Sequence, residues 1–245
     1  MKFLCLPGAY GSAATFEIQL QPLVRTITEQ SDLRFAYTQG KAEATPPPQF
    51  ERSGFFGPPP YYRFVYTPGM YEWLRGDLPA GEEHEDTMRG LQGQIRCPWA
   101  DIERAMDALL ETIEANPDIQ GILGYSEGTT IGSTLLLEEA RREALEGRPR
   151  RIKYAIFIAG WPPMCEENGR TSMALADETD VRIEIPTLHI VGCDDPYLAG
   201  SMALYNMCDE DTAELLDHGR GHTVPRDADS IRLVCEAVKR LVAKA

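Results

Sequence analysis

The chain has 245 residues, 43% of them hydrophobic, and a formal net charge of −14. That length can bury a substantial core, and we predict a single domain over residues 1–245. Because nucleic acids and anionic membranes attract basic surfaces, the acidic balance argues against either as a partner.

Signals for targeting, metals and cofactors are lacking in the sequence. No apolar run approaches the ~20 residues of a membrane helix, and the basic segment and apolar run of a secretory signal are missing. The six cysteines have neither metal-ligand spacing nor the density of a disulfide scaffold, so we expect reduced thiols and a cytoplasmic location. Without a phosphate-binding loop, dinucleotide fingerprint or metal cluster, we expect no cofactor and no metal.

Strand-like and helix-like segments alternate along the chain, which predicts a mostly parallel sheet flanked by helices, the α/β class. Apolar runs bounded by turn residues predict strands at 2–6, 33–37, 121–124, 153–159, 187–191 and 212–216. Periodic apolar residues predict helices at 13–28, 99–115, 127–146, 198–206 and 228–243.

Residues 40–97 interrupt this alternation with a segment rich in proline and aromatic residues. A long irregular segment in a compact domain is usually functional or disordered, and the aromatic content argues against disorder. We therefore interpret residues 40–97 as a lid or pocket wall, with Tyr62 as a candidate substrate-binding residue. The alternative is an irregular segment that covers the sheet edge.

Gly124-Tyr125-Ser126-Glu127-Gly128 follows a predicted strand and precedes a predicted helix. This is the context of the G-x-S-x-G nucleophile elbow, in which a sharp turn exposes the serine oxygen at the top of a sheet. Glycine is needed at the positions two residues before and two residues after the serine, because the turn leaves little room for side chains there. Ser126 is therefore the candidate nucleophile.

A serine nucleophile needs a base and an orienting acid, which in this fold follow in the order Ser, Asp or Glu, His. The acid is expected in the loop after strand 187–191, where we favour Asp195 over Asp194 because Pro196 restrains the chain just beyond it. These aspartates could instead cap the helix that starts near Pro196.

Four histidines limit the choice of base. His84 lies in an acidic stretch that we expect to be exposed, and His189 alternates within a strand pattern as a structural residue would. His218 and His222 share the Gly-rich loop after strand 212–216. We favour His222, because Gly221 before it provides the freedom that a tight catalytic loop needs.

Two loops are candidates for the rest of the site. The turn after strand 2–6 is glycine-rich, and the backbone N–H of Ala9 (or Tyr10) could form an oxyanion hole with that of Glu127. The alternative is a plain strand-to-helix turn. Trp161 lies in a loop at the predicted carboxyl edge of the sheet, where an apolar pocket suits an acyl chain, although it could equally be part of the core.

These motifs together match a known family. The matching segments are Leu4–Gly8 with Phe16 and Gln19 downstream, Pro60–Phe64, Gly124–Gly128, Pro186–His189, Gly192–Pro196 and Gly221–Pro225. Over nearly its full length the chain resembles the fungal serine hydrolase (FSH) family of the α/β-hydrolases. It departs from the family's pattern in having Pro7 where the family often has histidine, and Tyr10 where glycine is frequent.

The resemblance implies the α/β-hydrolase fold, with Ser126 as nucleophile, Asp195 as acid and His222 as base. Members of the family include carboxylesterases and thioesterases. Several resemble partners of fungal polyketide synthases in secondary metabolism, which release the chain from an acyl carrier protein by hydrolysis or cyclisation. A thioesterase acting on a carrier-bound polyketide is therefore the predicted function.

Two alternatives remain open at this point. One is a general carboxylesterase on small or acyl oxygen esters, and the other is a non-catalytic ligand-binding protein on a hydrolase scaffold. The expected partners are a small acyl substrate and an acyl carrier protein, and a homodimer is compatible with the sequence. Arginines between 141 and 151 could form a basic patch for an acidic carrier, or could simply be the solvated end of a helix.

Overall fold

A computed structural model of the chain describes residues 1–48, 56–66, 78–79 and 81–244. The strands in these residues are β1 (Lys2–Leu6), β2 (Arg34–Tyr37), β3 (Ala42–Ala44), β4 (Tyr61–Arg63), β5 (Ile119–Tyr125), β6 (Tyr154–Ile158), β7 (Met164–Glu167), β8 (Arg170–Met173), β9 (Thr187–Val191) and β10 (Ala213–Asp217). The helices are α1 (Ala13–Glu29), α2 (His84–Gln92), α3 (Trp99–Ala115), α4 (Glu127–Glu146), α5 (Leu198–Asn206) and α6 (Ala228–Val242).

The central sheet of the described residues has six strands in the order β10-β9-β6-β5-β1-β2, and every neighbouring pair is parallel. From β1 the chain goes first to β2 at one edge and then to β5 on the other side. Open α/β sheets bind ligands at the carboxyl ends of the strands where the order reverses in this way. The topology therefore points to the crevice above β1 and β5.

The strands in the middle of the sheet are mostly apolar because both faces of the sheet are covered. Successive side chains point to opposite faces, so Phe3 and Cys5 of β1 join one core cluster and Leu4 and Leu6 join the other. All five residues of β6 and of β9 are buried. The edge strands β2 and β10 are partly exposed.

The helices cover the two faces with apolar stripes. Helices α1 and α6 contribute to the first core cluster, whereas α3 and α4 contribute to the second. In α3 the buried residues recur at helical spacing: Ile102, Met106, Leu109, Leu110 and Ile113. Burying each such side chain contributes about 1.5–3 kcal/mol, so this packing is a main source of the domain's stability.

Every strand and helix predicted from the sequence is found, with ends that shift by a few residues. The strand predicted at 33–37 begins at Arg34, and the one predicted at 121–124 extends over Ile119–Tyr125. The pairs β3–β4 and β7–β8 and the helix α2 were not predicted. These short elements lack the long periodic patterns on which the prediction rests.

The segment 40–97 lies partly outside the described residues, and Tyr71 and Trp73 are among the aromatic residues that do. Its described part is ordered, because β3 pairs antiparallel with β4 and α2 packs against α5 and β8. The acidic stretch around His84, which we expected to be exposed, is partly buried. Glu85 is buried and accepts a hydrogen bond from Asn206 at 2.8 Å, and His84 is half-buried.

Among the described helices, none has both the length and the apolar character that crossing a membrane requires.

Candidate active site

The nucleophile elbow has the strained geometry that the sequence predicts. Ser126 lies between β5 and α4 with φ 52° and ψ −119°, a region that non-glycine residues rarely adopt. A Cβ atom on Gly124 would lie 2.6 Å from the Cα of Thr129, and one on Gly128 would lie 2.1 Å from the carbonyl oxygen of Leu6. The two glycines are thus required by contacts with backbone, which cannot move aside.

Three side chains from separate loops form one hydrogen-bonded chain at the carboxyl edge of the sheet. The Oγ of Ser126 lies 3.0 Å from Nε2 of His222, and Nδ1 of His222 lies 2.8 Å from Oδ2 of Asp195. This is the nucleophile–base–acid arrangement of a serine hydrolase, with each distance within normal hydrogen-bond range.

Asp195 is held in place by its own loop. Its Oδ1 accepts a hydrogen bond from the backbone N–H of Tyr197 at 2.8 Å, and its side chain is 1% exposed. Its carbonyl oxygen accepts from the N–H of Leu198 at the start of α5, so the residue also shapes the helix start. Asp194 is exposed and does not take part in this chain of contacts.

The two other histidines considered in detail do not reach Ser126. His189 is buried in β9, where Nε2 lies 3.1 Å from the Thr187 hydroxyl and burial lowers its pKa to about 3. His218 is buried as well, and within the described residues neither of its ring nitrogens has a hydrogen-bond partner. Burial lowers the pKa of His218, although Asp217 and Asp195 oppose that shift. Neither ring is placed to act as the base.

In the loop that carries His222, the conformational freedom of glycine is used at a different position from the one predicted. Gly221 does not use a conformation special to glycine; it is Gly219 that has φ 70°. Gly192, in the acid loop, also has to be glycine, because a Cβ atom there would lie 1.7 Å from the carbonyl oxygen of Arg220. The acid loop and the histidine loop therefore pack backbone to backbone, which brings Asp195 next to His222.

The first loop approaches the serine closely. A Cβ on Gly8 would lie 3.2 Å from the Cβ of Ser126, and Tyr10 adopts φ 66°. Within the described residues, the backbone N–H groups of Ala9 and Glu127 donate to no protein acceptor. Glu127 is the first residue of α4, where an N–H has no partner inside the helix. Both N–H groups are available for an oxyanion.

Ser126 and His222 open into a cavity of about 850 Å³. Ala9, Tyr10, Glu127 and Trp161 also line it, whereas Tyr62 does not. Tyr61 and Arg63 point to the buried side of β4, so alternation along the strand turns Tyr62 to the opposite side. Much of the lining is apolar: Phe56, Val65, Ile95, Ile131, Met164 and Met173.

Comparisons with known proteins agree with this geometry. The family model described as Serine hydrolase (FSH1) matches residues 1–234. The chain belongs to this family. Its fold also resembles that of Arabidopsis thaliana SOBER1 (TM-score 0.52, 14% identity, 99% of each chain) and of Zea mays acyl-protein thioesterase 2 (TM-score 0.55, 15% identity, 99% of this chain and 94% of that one).

Curated fungal proteins are similar over the whole length of this FSH1-family chain. The hydrolase phiM of Talaromyces stipitatus is 27% identical over 98% of this chain and 87% of its own length. The esterase FPY3 of Fusarium mangiferae is 26% identical over 100% of this chain and 98% of its own. The protein is therefore a serine hydrolase of the α/β-hydrolase fold that acts on ester bonds.

Two tyrosines that sequence reasoning missed pack against the histidine of this FSH1-family site. The ring centroids of Tyr125 and Tyr197 lie 5.4 and 5.2 Å from that of His222. The Tyr125 hydroxyl donates to the carbonyl oxygen of His222 at 3.0 Å, and burial raises the pKa of this phenol, so it stays a neutral donor. Tyr125 lies inside the predicted elbow motif and Tyr197 directly follows the predicted acid loop, which is a signal that could have found them.

A buried ion pair is the other feature that the sequence did not predict. Nε and Nη2 of Arg63 lie 3.2 and 3.0 Å from Oε1 of Glu127, with the two side chains 4% and 9% exposed. Burial opposes the positive charge of Arg63, but the charge and hydrogen bond of Glu127 together with Tyr10 and Cys97 outweigh it, so the pKa of Arg63 lies above its ordinary value. The carboxylate of Glu127 therefore points towards Arg63 of β4.

Proposed function

We propose that this cavity hydrolyses acyl thioesters, with Ser126 as nucleophile, His222 as base and Asp195 as the orienting acid. The observation that carries the proposal is the hydrogen-bonded chain of these three side chains, opening into a largely apolar cavity. The favoured substrate is a polyketide chain bound to an acyl carrier protein, released by hydrolysis or cyclisation.

The chemistry follows from the hydrogen bonds. His222 Nε2 takes the proton of Ser126 as its oxygen attacks the acyl carbonyl, and the N–H groups of Ala9 (or Tyr10) and Glu127 stabilise the oxyanion. The tetrahedral intermediate collapses as His222 gives its proton to the leaving thiol. Water, or a hydroxyl of the acyl chain itself, then attacks the acyl-enzyme with the same base. Asp195 holds the Nδ1–H tautomer throughout.

The apolar part of the cavity suits the acyl chain. Trp161 lines it next to Met164, and its ring packs edge-on to Tyr197 at 6.2 Å. Phe56, Val65 and other residues of the segment 40–97 contribute to the same wall, which supports the proposal that this segment acts as a lid or pocket wall.

The other end of the cavity supports a charged leaving group. His222 protonates the leaving group, which must therefore lie towards the histidine loop, and Arg220 and Arg226 of that loop line the cavity. Asp227 pairs with Arg220, whose Nε lies 3.5 Å from Oδ2, and the same carboxylate also accepts from the N–H and hydroxyl of Ser230. Exposed arginines at this end suit the phosphate of a pantetheine arm better than a neutral alcohol.

The arginines between 141 and 151 support the proposal less than the sequence indicated. Arg141 and Arg142 pair with Glu138, and Arg148 and Arg150 pair with other carboxylates. Four of the five are thus largely neutralised, and this helix end is not a strong basic patch. If a carrier protein docks electrostatically, Arg226 is the better candidate, because Arg220 pairs with Asp227 whereas Arg226 forms no ion pair within the described residues.

The test is kcat/KM for matched acyl thioesters and oxygen esters of increasing chain length, with Ser126→Ala as the control. We expect a preference for long thioesters, which increases when the thiol carries phosphopantetheine and disappears in the variant. A preference for short oxygen esters would instead support a general carboxylesterase, which the esterase names of the relatives fit equally well. Absence of Ser126-dependent turnover on all substrates would favour a ligand-binding role.

A further inference from the structure

The buried pair of Arg63 and Glu127 connects three separate parts of the site. Arg63 belongs to β4 within the segment 40–97, and Glu127 is the residue after the candidate nucleophile. The guanidinium of Arg63 also lies over the ring of Tyr10, 5.6 Å from its centroid, in cation–π range. One side chain therefore contacts both loops that supply the candidate oxyanion donors.

Stability alone is a weak reason for such a pair. Removing two charges from water is costly, and well-packed apolar residues are often as good or better in their place. The contact is also one-sided on the carboxylate, because the Nε–H and an Nη2–H of Arg63 both donate to Oε1, while Oε2 of Glu127 is buried without a hydrogen-bond partner among the described residues. A pair built for stability would be expected to satisfy both oxygens.

The position of the pair indicates a different role. The N–H of Glu127 is a candidate donor to the oxyanion, and its side chain is anchored by Arg63. The second donor belongs to Ala9, directly before Tyr10, whose φ of 66° is strained for a residue with a side chain. Anchoring the Glu127 side chain and the Tyr10 ring restricts rotation of the peptide groups on which the two donors lie.

We propose that Arg63 is a positioning residue that holds the two halves of the oxyanion hole in register from the segment 40–97. This inference rests on the proposed acyl-transfer function. Arg63 itself does not take part in bond making; it fixes where the two N–H groups point when negative charge develops on the carbonyl oxygen. Its loss should therefore act on the transition state and not on substrate binding.

The decisive variant is Arg63→Met combined with Glu127→Met, which removes both charges and keeps side chains of similar length. This avoids leaving one buried charge alone, which could unfold the protein. We expect kcat to fall on the order of 10–100-fold with KM nearly unchanged, the size of effect that a small misplacement of catalytic groups produces. Affinity for a boronic acid that forms a tetrahedral adduct on Ser126 should fall in parallel, whereas affinity for the carboxylate product should not.

Two single variants sharpen the test. Arg63→Lys keeps the charge but lacks the planar guanidinium that donates two hydrogen bonds to one carboxylate. Its kcat should therefore lie between that of the double variant and that of the unmodified protein. Arg89→Met is the matched control: Arg89 also lies in the segment 40–97 and pairs with Asp86, Asp177 and Glu178, but it does not line the cavity. Its kcat and boronate affinity should match those of the unmodified protein.

The possible outcomes separate clearly. If the double variant keeps kcat within threefold while its melting temperature changes, the pair is structural and the proposal is wrong. A rise in KM at unchanged kcat would also overturn it, because Arg63 would then contact the substrate directly. If the unmodified protein shows no Ser126-dependent turnover, the proposed function itself fails, which is distinct from either result.

Discussion

The cavity is bounded on one side by the loops after β9 and β10 and on the other by the segment 40–97. The first side, here the loop wall, carries Tyr197, Arg220, His222 and Arg226; the second, the insertion wall, carries Phe56, Arg63, Val65 and Ile95. On the loop wall, His222 is hydrogen-bonded on one side to Asp195 and on the other to Ser126. Among the described residues of the insertion wall, Phe56, Val65 and Ile95 are apolar, and the charge of Arg63 is neutralised by Glu127.

This difference indicates a division of labour. Acyl transfer needs atoms placed within tenths of an ångström, which hydrogen bonds between packed loops provide. Selecting an acyl chain needs shape and apolar area, which tolerate more variation. Changes to the triad should therefore affect every substrate alike, whereas changes to the insertion wall should depend on the length of the chain.

The largest effect is expected from the nucleophile and its base. Ser126→Ala or His222→Ala should lower kcat on the order of 10⁴–10⁶-fold for all chain lengths, as removal of a triad member does elsewhere. His218→Ala is the matched control from the same loop and should keep most of the activity. Steady-state kinetics with circular dichroism as a folding check would decide; a severe loss in His218→Ala would contradict the assignment.

The adjacent aspartates offer the next test. Asp195→Asn should lower kcat by about 10⁴-fold, because an amide no longer favours the required tautomer of His222. Asp194→Asn, one residue away and exposed, should change kcat less than threefold by our estimate, since it lacks contact with the histidine. Equal losses in the two variants would mean that the loop, and not the carboxylate at 195, matters.

A smaller, substrate-dependent effect is expected on the insertion wall. Val65 is buried and lines the cavity, so Val65→Phe should reduce the space for the acyl chain. We expect kcat/KM for long chains to fall about tenfold and that for acetyl substrates to stay within twofold, a discrimination typical of apolar pockets. A uniform loss across chain lengths would show that this wall does not select the chain.

The last effect concerns stability and not activity, and it arises in the central sheet, away from both walls of the cavity. Burial lowers the pKa of His189 to about 3, so between that value and its ordinary 6.5 the unfolded chain binds a proton that the folded one does not. Stability should therefore fall as the pH drops below 6.5, by up to about 1.4 kcal/mol per pH unit from this residue.

Urea unfolding of the unmodified protein and of His189→Gln between pH 7 and 4 would measure this contribution. The difference in unfolding free energy between the two should shrink as the pH falls, because glutamine does not titrate. A difference that stays constant over this range would show that His189 is protonated equally in the folded and unfolded chains.

The sequence predicted the sheet, the main helices and the elbow well, because their signals are local. The apolar alternation of β1 and the glycines around Ser126 reflect contacts that any chain with this pattern must make. The β3–β4 pair and α2 were missed, since three-residue strands and a mixed polar helix carry little periodic signal. Tyr62 was expected to face the cavity, whereas its neighbour Arg63 lines it, because the register of β4 depends on its pairing with β3.

By itself, then, the amino-acid sequence determined the fold class and a short list of candidates for nucleophile, acid and base. Only the tertiary structure places Asp195, and not Asp194, beside His222, and His222, and not His218, beside Ser126, and it joins Arg63 to Glu127. The physical reason is distance along the chain: Ser126 and His222 are 96 residues apart and Arg63 and Glu127 are 64 apart. Contacts of this kind depend on how the loops pack across the sheet, which no local pattern encodes.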